Sequence, residues 1–237
     1  MCGRFTLTRS PAEIAEAFGL DPADVAGLRP RFNIAPTQSA PVVIAGEGAS
    51  QQAVAGQAGR ALVLKRWGLV PHWASDPGIA SHTINARIET AAQKPAFRAA
   101  MAQRRCLAPA DGFYEWRRRG TQRDPYHVRF PDGESFAIAG LHETWSGPGG
   151  LLETFTLLTC AAHTVLRGLH DRMPALIAPE HFDAWLDPGE TDVDRALSLP
   201  DPELAARFEI HAVDARVNST RYDDPACLAP APQLSLL

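Results

Sequence analysis

Residues 106–120 read CLAPADGFYEWRRRG, and their reading decides the fold class. The apolar run Cys106–Ala108 and the aromatic-rich run Gly112–Arg117 both have strand composition, and Gly120 punctuates the second. Outward from this stretch the pattern repeats. Tyr126–Phe130, a Pro131-Asp132-Gly133 turn, Phe136–Leu141 and Thr154–Cys160 follow downstream. Upstream, residues 3–8 alternate like a strand, Arg29–Pro36 is proline-bounded and extended, and Ala40–Ala45 and Arg60–Trp67 are further strands. Gly46–Gly59, rich in Gly, Ala and Gln, reads as a flexible loop or long hairpin connection. Ser10-Pro11-Ala12-Glu13 is a helix start with Ser at the N-cap, Pro at N1 and Glu at N3. Ile14 and Phe18 share one face, and Gly19 ends the helix. Pro95–Gln103, Ala162–Leu169 and Pro179–Leu186 also read as helical, and Leu204–Val213 as helix passing into strand. Neither a βαβ alternation nor a GxGxxG or Walker loop is present. The expectation is an α+β fold: one domain over residues 2–225, built on a curved antiparallel sheet or partial β-barrel with flanking short helices, and an irregular tail at 226–237.

Composition excludes several functions. The 237 residues are 45% hydrophobic and 21% charged, ordinary for a globular domain. No apolar run reaches membrane-spanning length, and the N-terminus lacks a basic region followed by an apolar one, so a cytoplasmic protein with no membrane partner is expected. Cys2, Cys106, Cys160 and Cys227 form no CxxC and no Cys/His zinc spacing, so neither a disulfide framework nor a metal site is expected. Cys106 and Cys160 lie in apolar runs as core residues. The net charge of −4 is divided unevenly: residues 1–130 carry 17 Lys and Arg against 10 Asp and Glu, whereas residues 131–237 carry 6 against 17. A basic face on an acidic chain attracts a polyanion locally, although the two halves could equally attract each other.

Polar residues set in apolar strands or tight turns mark candidate chemistry. Glu115 stands between Tyr114 and Trp116; a desolvated carboxyl there stays protonated and suits a general acid, unless the strand turns it to solvent. His170 follows a helical stretch, where it could shuttle protons or merely cap the helix, and Arg172 could hold an anion or pair on the surface. Asn85 can orient an amine and a carbonyl together, with Arg87 adding an anion contact, or can simply make an Asn turn. Trp67 and Trp73 flank a Gly/Pro bend and could stack unpaired bases or pack in a core. Arg104-Arg105 and Arg117-Arg118-Arg119 read as solvated surface. Cys2 directly follows the initiator methionine. Trimming of Met1 would leave a free α-amine and a thiol on one residue, a pair that no internal cysteine offers.

Six blocks occur in order: MCGR at 1–4, FNIAPTQ at 32–38, WGLVPHWA at 67–74, NAR at 85–87, CLAPADGFYEW at 106–116 and HDRMP at 170–174. The set resembles the SRAP (SOS response-associated peptidase) family of abasic-site processing proteins, from about Cys2 to Trp185. The resemblance implies that Cys2 crosslinks to abasic sites in single-stranded DNA through a thiazolidine. It implies that Asn85 positions the Cys2 amine and thiol, Glu115 acts as acid and base, and His170 assists sugar opening and proton transfer. Arg4, Arg87 and Arg172, with Thr159, would hold phosphates, and Trp67, Asn33 and Pro36 would line the DNA groove. A lyase side activity, no metal or organic cofactor, and a monomer acting in the cytoplasm or on the nucleoid complete the expectation. Three other readings stay open: a thiol peptidase using Cys2 and His170, an N-terminal-nucleophile amidotransferase, and a non-covalent single-strand binding module.

Overall fold

In the computed structural model, residues 2–46, 59–190 and 192–232 are described. The strands in chain order are β1 (Phe5–Leu7), β2 (Arg31–Ile34), β3 (Ser39–Ala45), β4 (Arg60–Trp67), β5 (Asn85–Arg87), β6 (Arg105–Ala110), β7 (Gly112–Arg119), β8 (Gln122–Arg129), β9 (Phe136–Gly147), β10 (Gly150–Ala161), β11 (Arg172–Pro174), β12 (Leu176–Ile177) and β13 (Glu209–Ala212).

The two longest strands, β9 and β10, form a hairpin in register from Gly150 opposite Gly147 to Leu157 opposite Gly140. Gly150 has φ +99°, a conformation that favours glycine, and it turns the chain back. From β9 the hydrogen bonding passes to β6, then β3, then β4, all antiparallel. Strand β4 pairs with β10, which closes a five-strand ring. The closure is parallel, with Thr154 opposite Arg66 and Phe155 opposite Trp67. Strand β5 also runs parallel to β10. These two parallel pairings depart from an all-antiparallel expectation. They join segments remote in sequence, so no turn signal announces them.

A second, antiparallel sheet has the order β13-β8-β7-β1-β2. The two sheets share one core. Phe113 of β7 and Phe136 of β9 meet edge to face at 6.4 Å, and both contact Phe208, at 5.5 and 5.4 Å. Burying such rings is the main stabilising term of the interface.

The helix Pro11–Phe18 forms as its caps dictate. Ser10 Oγ accepts from Glu13 N, the Glu13 carboxylate accepts from Ser10 N, and Gly19 closes the helix at φ +61°. Ile14, Ala15 and Phe18 face inward, and Phe18 stacks on Phe182 at 5.3 Å. Other expected helices are shorter. Pro95–Gln103 contracts to Arg98–Gln103, and Pro179–Leu186 divides into a 3-10 turn and the helix Phe182–Leu186. Ala162–Leu169 yields only the 3-10 turn Thr164–Leu166, whose single buried residue, Leu166, gives no apolar stripe to support a longer helix.

The expected loop at 46–59 lies mostly outside the described residues, but Gly46 N donates to Gly59 O at 2.7 Å, as at the base of a hairpin connection. The expected boundary near 225 does not mark an end of packing. Pro225–Leu228 is a 3-10 turn, Cys227 is fully buried beside Tyr114 and Val217, and Val213 bridges to Pro230.

Candidate functional site at the N-terminus

Strand register brings Cys2 and Glu115 together. Phe5 stands opposite Phe113, and Tyr114 N donates to Arg4 O at 2.9 Å. The antiparallel ladder therefore sets Glu115 beside the Cys2-Gly3 segment. Asn85 arrives from β5, held by β10 with Leu157 opposite Asn85. Its Nδ2 donates to Cys2 O at 2.8 Å. Asn85 Oδ1 is buried and has no hydrogen-bond partner among the described residues. A buried carbonyl oxygen without a donor is costly, so an amide held this way has an open acceptor beside Cys2.

Cys2 has no accessible surface, and its Sγ lies 3.7 Å from Arg4 O. Burial, reinforced by the Glu115 charge, pushes its thiol well above the ordinary range. Glu115 is only 4% exposed. Burial raises its carboxyl above the usual 4.5, against the opposing pull of His170. Burial thus works against charge on either group.

His170 follows the Thr164–Leu166 turn. Its Nδ1 lies 2.9 Å from Arg172 N and 2.8 Å from Asp171 Oδ1. Bare, that nitrogen accepts the Arg172 N–H; protonated, it donates to the Asp171 carboxylate. The ring has a partner in either state, as a proton carrier requires.

The expected DNA contacts divide. Arg87 is exposed, Pro36 is half-buried, and Arg4 and Arg172 keep partial exposure. Arg87 and Arg172 flank the end of β10, with Arg87 opposite Thr159 and Arg172 opposite Ala161. Arg4 is anchored by Asn33 Oδ1 and Val217 O, each at 2.8 Å. Three residues expected to line the groove or hold phosphate are instead interior. Asn33 is buried and donates to Val217, Ser219 and Tyr222 carbonyls, fastening the chain near 220 to β2. Thr159 is buried, its hydroxyl on Ala86 O. Trp67 has no accessible surface; it packs against Phe5 and Phe155, and its Nε1 donates to Ile84 O at 2.7 Å. The indole is a core residue, because β4 turns it into the barrel closure. Trp67→Ala is accordingly expected to cost about 3–5 kcal/mol, read as a lower urea midpoint at unchanged slope.

Sequence reading missed Glu89. It clasps Arg172 with both oxygens, at 2.6 and 2.8 Å. Its only signal was a carboxylate four residues past Asn85. A cavity of about 780 Å³ lined by Thr8, Asp111, His127 and His211 contains none of the four central residues.

A fold of this architecture, with a cysteine at position 2, an amide and a carboxyl meeting from three segments and an imidazole whose charge acts on that carboxyl, points to a protein class. The family model "SOS response associated peptidase (SRAP)" matches residues 1–220, and the chain belongs to this family. It is 37% identical over 228 residues to the abasic site processing protein YoqW of Bacillus subtilis, covering 95% of this chain and 97% of YoqW. It is 29% identical to the abasic site processing protein HMCES of Xenopus tropicalis, covering 97% of this chain and 78% of HMCES. A crystal structure of a protein from Bacteroides thetaiotaomicron superposes with a TM-score of 0.83 over 98% of this chain and all of that one, at 22% identity, which shows the shared fold.

Proposed function

We propose that this protein processes abasic sites in single-stranded DNA by covalent capture through Cys2 after removal of Met1. The observation that carries the reading is the convergence on Cys2 of the Asn85 amide and the buried Glu115 carboxyl. The relatives named for abasic-site processing support the substrate.

An opened abasic sugar presents an aldehyde at C1′. The freed α-amine of Cys2, with an ordinary pKa of about 8, is partly unprotonated at neutral pH. It attacks C1′, forming a C–N bond while the carbonyl oxygen takes up a proton. In its acid form, which burial favours, the Glu115 carboxyl then protonates the departing hydroxyl, and water leaves. The open Asn85 acceptor can take an N–H from the amine and aim its lone pair. The Cys2 thiol next adds to the imine carbon. An S–C bond forms, the electrons of the protonated C=N return to nitrogen, and the thiol proton passes to the Glu115 carboxylate, which regains the proton it gave. The product is a five-membered thiazolidine, one water lighter than its reactants. His170 carries protons during sugar opening. The imine stage also acidifies the C2′ proton, which opens a route to strand cleavage by β-elimination.

The raised thiol favours this order, amine first and sulfur second, over a peptidase that needs a preformed thiolate. Arg4, Arg87 and Arg172, with Pro36 at the edge, are the proposed backbone contacts, and the protein is proposed to act as a monomer. The test is a denaturing gel of Met1-trimmed protein with an oligonucleotide bearing one abasic site. A heat-stable shifted band is expected, absent with intact DNA and absent for a form that retains Met1. No band from folded, trimmed protein would overturn the reading.

A further inference from the structure

Arg172 has a planar fork that binds a carboxylate and a phosphate in the same bidentate way. Glu89 fills that fork, Nη1 to Oε1 at 2.6 Å and Nη2 to Oε2 at 2.8 Å. The Arg172 side chain is mostly buried, whereas Glu89 is about half exposed, so the carboxylate lies on the solvent side of the fork. Arg172 Nη2 also donates to Thr159 O, which fixes the guanidinium from behind. Its Nε is buried with no hydrogen-bond partner among the described residues. The guanidinium is thus anchored in place, with a donor to spare, and an anion of the protein's own occupies the edge that faces solvent.

We propose that Glu89 is a built-in phosphate mimic, a specificity-determining residue that a DNA backbone phosphate must displace from Arg172. The proposal rests on the single-strand reading above and goes beyond it. Exchange of one anion for another makes the non-covalent grip on any strand weak, so undamaged DNA is released and only a strand with an aldehyde to capture is retained. Partly exposed ion pairs contribute modestly, which is the scale needed for a competitor that can be displaced.

The test is fluorescence anisotropy of wild type, Glu89→Gln, Glu89→Asp and Arg172→Ala on an undamaged single strand, with thermal unfolding as a control. Competition predicts binding about fivefold tighter for Glu89→Gln. It predicts a gain for Glu89→Asp as well, because a carboxylate one methylene shorter keeps the charge but loses the two-pronged contact. Arg172→Ala should weaken binding. A gain for Gln with wild-type affinity for Asp would mean simple charge repulsion and would overturn the proposal. So would unchanged or weaker binding by both Glu89 variants while Arg172→Ala still weakens it, the outcome for a purely structural pair. If wild type binds no single strand and Arg172→Ala changes nothing, the single-strand reading fails as well.

Discussion

Cys2→Ser, trimmed of Met1, is expected to give no heat-stable adduct with an abasic strand, yet to be trapped when borohydride is present. Serine keeps the α-amine, so the imine forms and can be reduced. It replaces only the sulfur, and a hydroxyl is a far poorer nucleophile than a thiol toward the imine carbon. The imine then hydrolyses on heating. Cys2→Ala should behave the same way, and a Met1-retaining form, whose α-amine and thiol lie on different residues, should give no heat-stable adduct. This pattern separates the two halves of the chemistry on one gel. Wild-type yields of heat-stable product from Cys2→Ser would remove the thiol from the mechanism. The buried setting of Cys2 makes the contrast sharper, because a neutral thiol there has no role until an electrophilic carbon is delivered to it.

The second large effect is expected at Glu115. Glu115→Gln keeps the shape and loses the proton donor, so adduct formation should slow by about a hundredfold or more, on the scale of a lost general acid. The pH dependence has a definite sign. Burial raises the Glu115 carboxyl, so its acid form persists above 4.5. For wild type the dehydration step should weaken as pH rises through that raised value, while the amine gains free base, giving a bell. Glu115→Gln should lose the alkaline fall and keep the rise. Stability should fall over the same pH window. Between 4.5 and the raised value the folded state binds more protons than the unfolded one, so wild-type stability falls as pH rises. Gln has no such dependence and should be the more stable protein at neutral pH, measured as a higher unfolding temperature. A wild-type pH profile for Glu115→Gln would assign the proton to another group.

Local signals were legible wherever one segment sufficed. The cap of Pro11–Phe18 follows from Ser10, Pro11, Glu13 and Gly19, because each group acts on the turn it sits in. The strands around CLAPADGFYEW follow from composition and punctuation. Long-range pairings were not legible. The parallel closure of β10 on β4 depends on two segments about ninety residues apart meeting across a ring.

The site divides along the same line. Cys2, Asn85, Glu115 and His170 were singled out by residue types that carry chemistry in any fold. The convergence of the first three was expected only through family likeness; the register of β1 on β7 and of β5 on β10 supplies its physical basis. Burial is what sequence conceals. Trp67 beside Gly68 looks the same whether it stacks a base or fills a core, and the fold sends it inward. Asn33 and Thr159 are likewise spent on backbone carbonyls. Glu89 was invisible because its meaning lies in Arg172, on a different strand.

The most direct test of covalent capture through Cys2 is tandem mass spectrometry of the wild-type adduct after nuclease digestion. The account predicts a sugar-phosphate remnant, added with loss of one water, on an N-terminal peptide beginning at Cys2, with neither its α-amine nor its thiol open to labelling. A remnant on a lysine or an internal cysteine, or on Cys2 with the amine still free, would contradict it.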